Sequence, residues 1–246
     1  MPSPRVPAIA ITLLATAVIA LAPAADLRAE DAKTPPPAAG SIVPKPSAPD
    51  LKPFTLQDRY FDAARRGDLP MLEVCIQKGI DPKVEDELGR SALATAVRDS
   101  RDLEMVEFLF ARGVPMDEPD AVGRSPLHDA AGNADPTIVA WLLKNGAKVD
   151  RKDMQGRMPI HNAVMAGSRE VVVLLLAAGA DPNARDNFQD TPLIAACAKG
   201  LNEIARLLVE KGADPTLKDQ EGRTASERAD ETAPYCRGLS GAKPAA

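Results

Sequence analysis

Glycines recur along this chain at a nearly constant spacing, and that spacing constrains the fold more than any other feature. Successive members of one series lie 34, 33, 33 and 33 residues apart, and they are Gly79, Gly113, Gly146, Gly179 and Gly212. A second series keeps the same period and consists of Gly89, Gly123, Gly156, Gln189 and Gly222. A period of this length indicates a repeat architecture, in which copies of one small unit stack on each other.

Each copy carries the sequence signals of two helices and a loop. The first helix is expected to begin at a hydroxyl residue such as Ser125 or Thr191, which can accept a backbone N–H, followed by a proline that has none to leave unpaired. The second helix has apolar residues three and four positions apart and ends at the first glycine series. Aromatics make up only 3% of the chain, so close helix approach must depend on small residues, which are Ala63, Ala96, Ala130, Ala163 and Ala196.

The second copy departs from the pattern. It has Ala92 in the place of proline and one extra residue between Arg98 and Asp102, while Met158 later replaces a capping hydroxyl. Because a lost cap costs about 1 kcal/mol, residues 91–112 are predicted to be the weakest joint.

The elements between the glycines run Ser125-Pro126-Leu127-His128, Met158-Pro159-Ile160-His161 and Thr191-Pro192-Leu193-Ile194. With the period, the following alanine pair and a later Leu-Leu-x-x-Gly-Ala, they resemble the ankyrin repeat from about Thr55 to Asp230. The resemblance implies an all-α solenoid of five repeats plus a partial C-terminal capping repeat, over residues 54–232. It also implies that His128 and His161 bond backbone groups between adjacent loops and do not form a metal or acid/base pair.

The residues that precede the repeats predict export. Residues 1–24 resemble a secretory signal peptide, because Arg5 precedes an apolar run that ends at a small-residue cleavage site, Ala22-Pro23-Ala24. Residues 25–53 are rich in proline and are expected to be a disordered linker, and residues 233–246 a disordered tail. The alternative is an uncleaved inner-membrane anchor through residues 6–22, a short run for a span.

Composition and motifs argue against catalysis and against nucleic-acid binding. The net charge is −5, and −6 once residues 1–24 are removed, whereas phosphate neutralisation needs a basic surface. The sequence has no phosphate-binding glycine loop, nucleophile elbow or paired-cysteine metal spacing. Acidic residues recur at the repeat period and are expected to cap the loops: Asp86, Asp120, Asp153, Asp186 and Asp219. We therefore expect a non-enzymatic protein without cofactor or metal.

Three cysteines raise the question of disulfides. Cys75 and Cys197 are predicted to lie several layers apart at about 10 Å per layer, beyond the roughly 7 Å Cα separation that a disulfide allows. Both are expected to be buried free thiols. Cys236 in the predicted tail could pair with Cys197, and the sequence leaves that pairing open.

The resemblance implies a partner-binding surface made of loop tips and the concave ends of the first helices. Its apolar loop residues are Leu88, Val122, Met154 and Phe188. Its basic residues would make the N-terminal half of the surface attractive to an acidic partner, and they are Arg65, Arg66, Arg90, Arg98, Arg124 and Arg157. The alternative for the loop arginines is that Gly-Arg is common filler in loops of this kind.

These features together predict a non-enzymatic protein-interaction module, a scaffold or adaptor, that binds a protein partner as a monomer in the periplasm or outside the cell. Two alternatives remain at this point. One is a membrane-tethered envelope spacer that uses the Pro-rich segment as a stalk. The other is an accessory subunit that modulates a partner enzyme.

Overall fold

The computed structural model describes residues 54–239, and within this range helices alternate with short loops. The predicted signal peptide and Pro-rich linker lie outside the described residues. In chain order the helices are α1 (Leu56–Arg66), α2 (Leu69–Gln77), α3 (Ala92–Thr95), α4 (Leu103–Ala111), α5 (Pro126–Gly132), α6 (Pro136–Lys144), α7 (Pro159–Ala166), α8 (Arg169–Ala177), α9 (Pro192–Ala198), α10 (Asn202–Glu210), α11 (Ala225–Arg228) and α12 (Pro234–Arg237).

The helices come in pairs, and the pairs stack in layers. Among the first helices, α5 packs against α7, α7 against α9 and α9 against α11, while α6, α8 and α10 follow the same order in a second row. Pairing of extended backbone in residues 54–239 is limited to isolated β-bridges at Glu85–Ser91 and Lys218–Thr224. The predicted all-α repeat architecture is therefore confirmed.

Small and aliphatic side chains fill the core between the layers. The alanines at the equivalent position of the first helices are buried in all five pairs: Ala63, Ala96, Ala130, Ala163 and Ala196. The facing position of the second helices is also buried and is occupied by Cys75, Leu109, Leu142, Leu175 and Leu208. Alanine lets two helix axes approach closely, so dense packing is reached with few aromatic side chains.

Side-chain caps begin several of the first helices. The hydroxyls of Ser91 and Thr191 accept the backbone N–H three residues on, at 3.1 Å and 3.2 Å. Ser125 adds a contact of a different kind at the start of α5, because its hydroxyl lies 2.9 Å from Nδ1 of His128. α1 begins one turn earlier than the other first helices, at a capping box that Thr55 forms with Asp58.

The extra residue of the second copy is accommodated as a turn of π-helix, Ala96–Ser100, that follows α3. The turn ends at Arg101 in the left-handed conformation, with φ 55°. The Asn133 side-chain amide donates to the carbonyls of Val97 and Arg98, at 3.0 Å and 2.9 Å. A side chain of the third copy thus satisfies carbonyl groups at the C-terminal end of this turn.

A disulfide joins Cys197 in α9 to Cys236 in α12, with the two Cα atoms 5.5 Å apart. The expectation of a free Cys197 is therefore wrong, while Cys75 is buried and free. A link across this sequence separation of 39 residues constrains the unfolded chain by about 4 kcal/mol in the loop-entropy description.

The pairing could form because part of the predicted disordered tail is folded. Residues 234–237 form α12, and Ala233, Cys236 and Leu239 are buried. α12 packs on α10 and α11 and takes the place that a full second helix would occupy. The prediction of a disordered tail is thus wrong for this segment.

Replacing Asn133 by Ala tests the cap on the π-helical turn. Asn133→Ala leaves two carbonyl groups without their donor, and we expect the free energy of unfolding to fall by about 1–3 kcal/mol. Chemical denaturation followed by circular dichroism measures the change. Asn187→Ala is the matched control, since its side-chain amide makes one solvent-exposed hydrogen bond, to the Met154 carbonyl. Equal stability of the two variants would contradict the proposed role of Asn133.

Candidate partner-binding surface

An aspartate anchors each of the five loops that join one helix pair to the next. Its Oδ1 atom accepts the backbone N–H groups two and four residues on, as Asp86 does from Leu88 and Arg90 at 2.9 Å. The same two bonds occur at Asp120, Asp153, Asp186 and Asp219. The prediction that the periodic aspartates cap the loops is confirmed.

The arginine four residues after the aspartate forms an ion pair inside the same loop. Arg90 contacts Asp86 at 2.7 Å, Arg124 contacts Asp120 at 3.5 Å and Arg157 contacts Asp153 at 3.0 Å. The Arg90 side chain is only 10% exposed, so it offers little area to a partner although the sequence placed it among the partner-binding residues. The loop aspartates hold Arg90, Arg124 and Arg157 in place, which matches the loop-filler alternative.

The fourth loop departs from this pattern because Asp190 stands where the other loops have arginine. Arg228 of α11 reaches back and lies 3.5 Å from Asp190 and 2.7 Å from Asp219. One cation of the C-terminal segment therefore bridges the last two loops.

Backbone hydrogen bonds join successive loop tips into a ladder. The N–H groups of Ala121, Met154, Asn187 and Gln220 donate to the carbonyls of Leu88, Val122, Gln155 and Phe188, at 2.9–3.0 Å. Gly156 lies at a close approach of two tips: its φ is +73°, and a Cβ there would lie 2.9 Å from the Asn187 backbone nitrogen. In the fourth loop Gln189 takes the equivalent position with φ 61°. The ladder fixes the position of each tip relative to its neighbours.

Both histidines serve the loops, as the family resemblance implied. Nδ1 of His128 accepts the Ser125 N–H at 3.1 Å, and Nε2 lies 3.0 Å from the Arg157 carbonyl of the next loop. His161 repeats this arrangement with Met158 and Ala184. Burial lowers the pKa of both imidazoles, which suits a neutral ring that donates at one nitrogen and accepts at the other.

The apolar loop residues form an exposed row, which we call the ridge. Leu88, Val122, Met154 and Phe188 are 54%, 47%, 68% and 58% exposed. All four lie at loop tips that the backbone ladder holds in order. Large apolar side chains kept in water on rigid backbone are typical of binding surfaces.

Three of the predicted basic residues lie at the end of α1 and on the π-helical turn, positions that the resemblance assigns to the concave side. Arg65 lies 3.6 Å from Asp99 and 3.9 Å from Asp62, and Arg66 lies 3.1 Å from Asp62. Arg66 is 73% exposed despite that pair. Arg98 is partly exposed on the π-helical turn, at 4.0 Å from Asp99. We call Arg65, Arg66 and Arg98 the concave arginines.

A cleft of about 570 Å³ lies between Leu88 of the ridge and Arg65 of the concave arginines. Phe54, Phe61 and Leu88 form its apolar part. Its polar side carries four carboxylates and two guanidinium groups, those of Asp58, Asp62, Asp86, Glu87, Arg65 and Arg90. The sequence pattern did not predict this cleft, because it depends on the extra turn of α1. In residues 54–239, no group of three or more His, Cys, Asp or Glu is arranged to hold a metal ion.

The last two loops have carboxylates with opposite electrostatics. Burial would raise the pKa of Asp219, but hydrogen bonds from the Arg223 backbone and from the Arg228 and Arg223 side chains lower it to about 2. Burial raises the pKa of Asp190, and Arg228 only partly opposes that shift. Ionisation of Asp219 therefore stabilises the folded state, whereas ionisation of Asp190 lowers the free energy of unfolding.

Asp219→Asn is expected to destabilise the protein at neutral pH by about 1–3 kcal/mol, because it weakens the acceptor of two arginines. The wild-type contribution is present above about pH 4, the ordinary range of an aspartate. It is lost as the pH falls towards 2, since the folded-state pKa is depressed. Stability measured between pH 2 and 7 should thus vary less in the variant than in the wild type.

Asp190→Asn is the control with the opposite sign. It removes a carboxylate whose ionised form is disfavoured, so we expect equal or higher stability at pH 7. Parallel destabilisation in both variants would contradict the assignment of Arg228 to Asp219.

None of the helices in residues 54–239 combines the length and the apolar character that crossing a membrane requires. The predicted apolar run of residues 6–22 lies outside this range.

Comparisons with known proteins agree with the geometry of the loops and helix pairs. The family model described as ankyrin repeats (3 copies) matches residues 61–153 and 152–219. The chain is 34% identical over 88 residues to the RelA-associated inhibitor of Mus musculus, an alignment that covers 36% of this chain and 10% of that protein. It is 33% identical over 66 residues to an ankyrin repeat protein of Rickettsia felis, covering 27% and 17%. The chain thus spans a small part of the length of either relative, and it belongs to the ankyrin-repeat family, whose repeats are protein–protein interaction modules.

Proposed function

We propose that this chain is a non-enzymatic adaptor that binds a protein partner along the ridge, in the periplasm or outside the cell. The observation that supports it most is the ridge itself. Four large apolar side chains are held in solvent on backbone that the loop ladder makes rigid. A rigid surface loses little conformational entropy when it binds, so its apolar contacts are available for affinity.

The proposed partner presents apolar side chains to the ridge and carboxylates to the concave arginines. The concave arginines also pair with aspartates, Asp62 and Asp99, but their side chains are more exposed than those of the loop arginines, so the basic character of the N-terminal half rests on Arg65, Arg66 and Arg98. The cleft beside Leu88 and Arg65 lies where the two chemistries meet. It would receive an apolar anchor, since carboxylates outnumber arginines along its polar side.

The proposed location follows from two features of different kinds. Residues 1–24 have the sequence pattern of a signal peptide. The Cys197–Cys236 disulfide is a bond that persists in oxidising compartments. The remaining thiol, Cys75, is buried, which favours a monomer over a disulfide-linked dimer.

Removing the ridge should weaken partner binding. Affinity purification from the periplasmic fraction supplies the partner, and isothermal calorimetry measures its dissociation constant. We expect Leu88→Ser with Phe188→Ser to raise the dissociation constant by about thirtyfold or more, since even a single anchor of this kind contributes about 2 kcal/mol or more. Met71→Ser with Val74→Ser is the matched control, because both side chains are exposed on α2. Equal losses in the two double variants would contradict the ridge as the site.

The charge of the partner is tested in the same assay. Arg66→Glu with Arg98→Glu should weaken binding at low salt, and the loss should shrink as salt screens the contact over a Debye length of about 8 Å at physiological ionic strength. An affinity that does not change at low salt would remove the acidic partner from the proposal and leave the ridge in place.

Export should leave a mature chain that begins close to residue 25. Expression of the full chain in a bacterial host, followed by fractionation and intact mass measurement, checks this. We expect the processed form in the periplasm or the medium. A full-length chain in the membrane fraction would support the tethered spacer instead, and a full-length chain in the soluble cytoplasm would contradict export.

A further inference from the structure

We propose that the Cys197–Cys236 disulfide controls the C-terminal end of the ridge, so that an ankyrin array closed by oxidation loses order around Phe188 when the bond is reduced. The inference rests on the proposed function of the ridge. Its structural part concerns a segment that we call the C-terminal clasp, residues 225–239, which contains α11 and α12.

Besides the Arg228 ion pairs, α11 packs on α9 and α12 packs on α10, but the clasp buries few large apolar side chains. Its buried apolar side chains are Ala225, Ala233, Cys236 and Leu239, three of which are small. Full second helices bury larger side chains, as α8 does with Val171, Val172 and Leu175. Each ordered residue loses backbone entropy. The small apolar area that the clasp buries offsets only part of that loss, so the folded clasp depends on the disulfide.

Polar contacts position the clasp without adding much burial. The Asn202 side chain donates to the Thr232 carbonyl at 2.9 Å and accepts the Tyr235 N–H at 3.1 Å. Arg206 lies over the Tyr235 ring, 5.1 Å from its centroid. Such surface contacts are individually weak in water. The covalent bond between α9 and α12 is thus the strongest link between the clasp and the fifth repeat.

A chain of contacts leads from the clasp to the ridge. α11 presents Arg228, whose guanidinium lies 2.7 Å from Asp219 and 3.5 Å from Asp190. Asp219 anchors the last loop, and Gln220 of that loop donates its N–H to the Phe188 carbonyl at 2.9 Å. Asp190 closes the loop that carries Phe188. When the clasp opens, Arg228 leaves both carboxylates and the last step of the ladder loses its support.

Reduction needs a dithiol reductant, of protein or small-molecule type. A reductant thiolate attacks one sulfur of the Cys197–Cys236 bond and releases the other as a thiolate, which takes up a proton. The second reductant thiol then displaces the remaining cysteine, which is also protonated, so two electrons and two protons reach the protein and the reductant becomes a disulfide. Both cysteines are buried in residues 54–239, so attack follows opening of the clasp.

Hydrogen exchange measures clasp opening without any partner. We compare the oxidised protein, the protein held in excess dithiothreitol, and the Cys197→Ala, Cys236→Ala double variant. Cys75→Ala is the control, because it removes a buried thiol that forms no bond. Amides of the clasp should lose protection by about a hundredfold or more in the reduced protein and the double variant. Amides of α5 to α8 should keep theirs. Unchanged clasp protection, or equal loss along the whole array, would overturn the proposal.

The link to the ridge has its own readout. The Gln220 amide should exchange faster after reduction, while the Met154 amide, two steps away on the ladder, should not. Arg228→Gln in the oxidised protein should reproduce faster exchange at Gln220 with the clasp still closed. An open clasp with an unchanged Gln220 amide would refute control of the ridge and leave the proposed function untouched. Loss of partner binding in the ridge variants is measured with the disulfide intact, so the two ideas fail separately.

Discussion

A carboxylate that folds its own loop is the interaction on which the rest of this array depends. Each periodic aspartate accepts two backbone N–H groups, which leaves the tip carbonyl and the neighbouring N–H pointing along the stack. Those groups then pair from loop to loop. Stacking in a repeat protein is a sum of nearest-neighbour contacts, and here the ladder adds a polar contribution at the tips to the alanine-rich packing between the helices. The histidines connect the two, because each ring bonds its own helix start and the next loop.

The loop hydrogen bonds and ion pairs also decide which charged side chains stabilise a loop and which are free to contact a partner. A loop arginine that lies beside its aspartate keeps the loop closed and offers little to a partner, as Arg90 illustrates with its small exposed area. Side chains at the loop tips do not take part in closing the loop. Leu88 and Phe188 stay in water because their backbone is fixed by the ladder and no neighbour covers them. Position within the loop, more than residue type, therefore decides which side chains can recognise a partner.

The features that could be predicted from the sequence are those that recur in every repeat. Helix pairs, buried alanines, aspartate caps and the histidine contacts all follow from marks that recur every 33 or 34 residues. What it missed lies where the period is broken or where two copies must be compared in space. An inserted residue in the sequence does not predict a π-helical turn, nor that Asn133 of the next copy caps it. Cys236 lies after the last residue that recurs at the repeat period, so its position relative to Cys197 could not be predicted from the period. The spacing of Asp86 and Arg90 contained the signal for their ion pair, but four-residue spacing in a loop indicates contact only once the turn is known.

The two ends of the array solve the same problem by different means. At the N-terminal end α1 gains a turn and buries Tyr60 and Phe61 in edge-to-face contact, which adds aromatic area to the core of the first layer. At the C-terminal end the cover is small, and a covalent bond takes over the role of buried area. Hydrophobic cover is insensitive to redox conditions, whereas a disulfide depends on its compartment. The order of the ridge is therefore independent of redox conditions at the Leu88 end and depends on the disulfide at the Phe188 end.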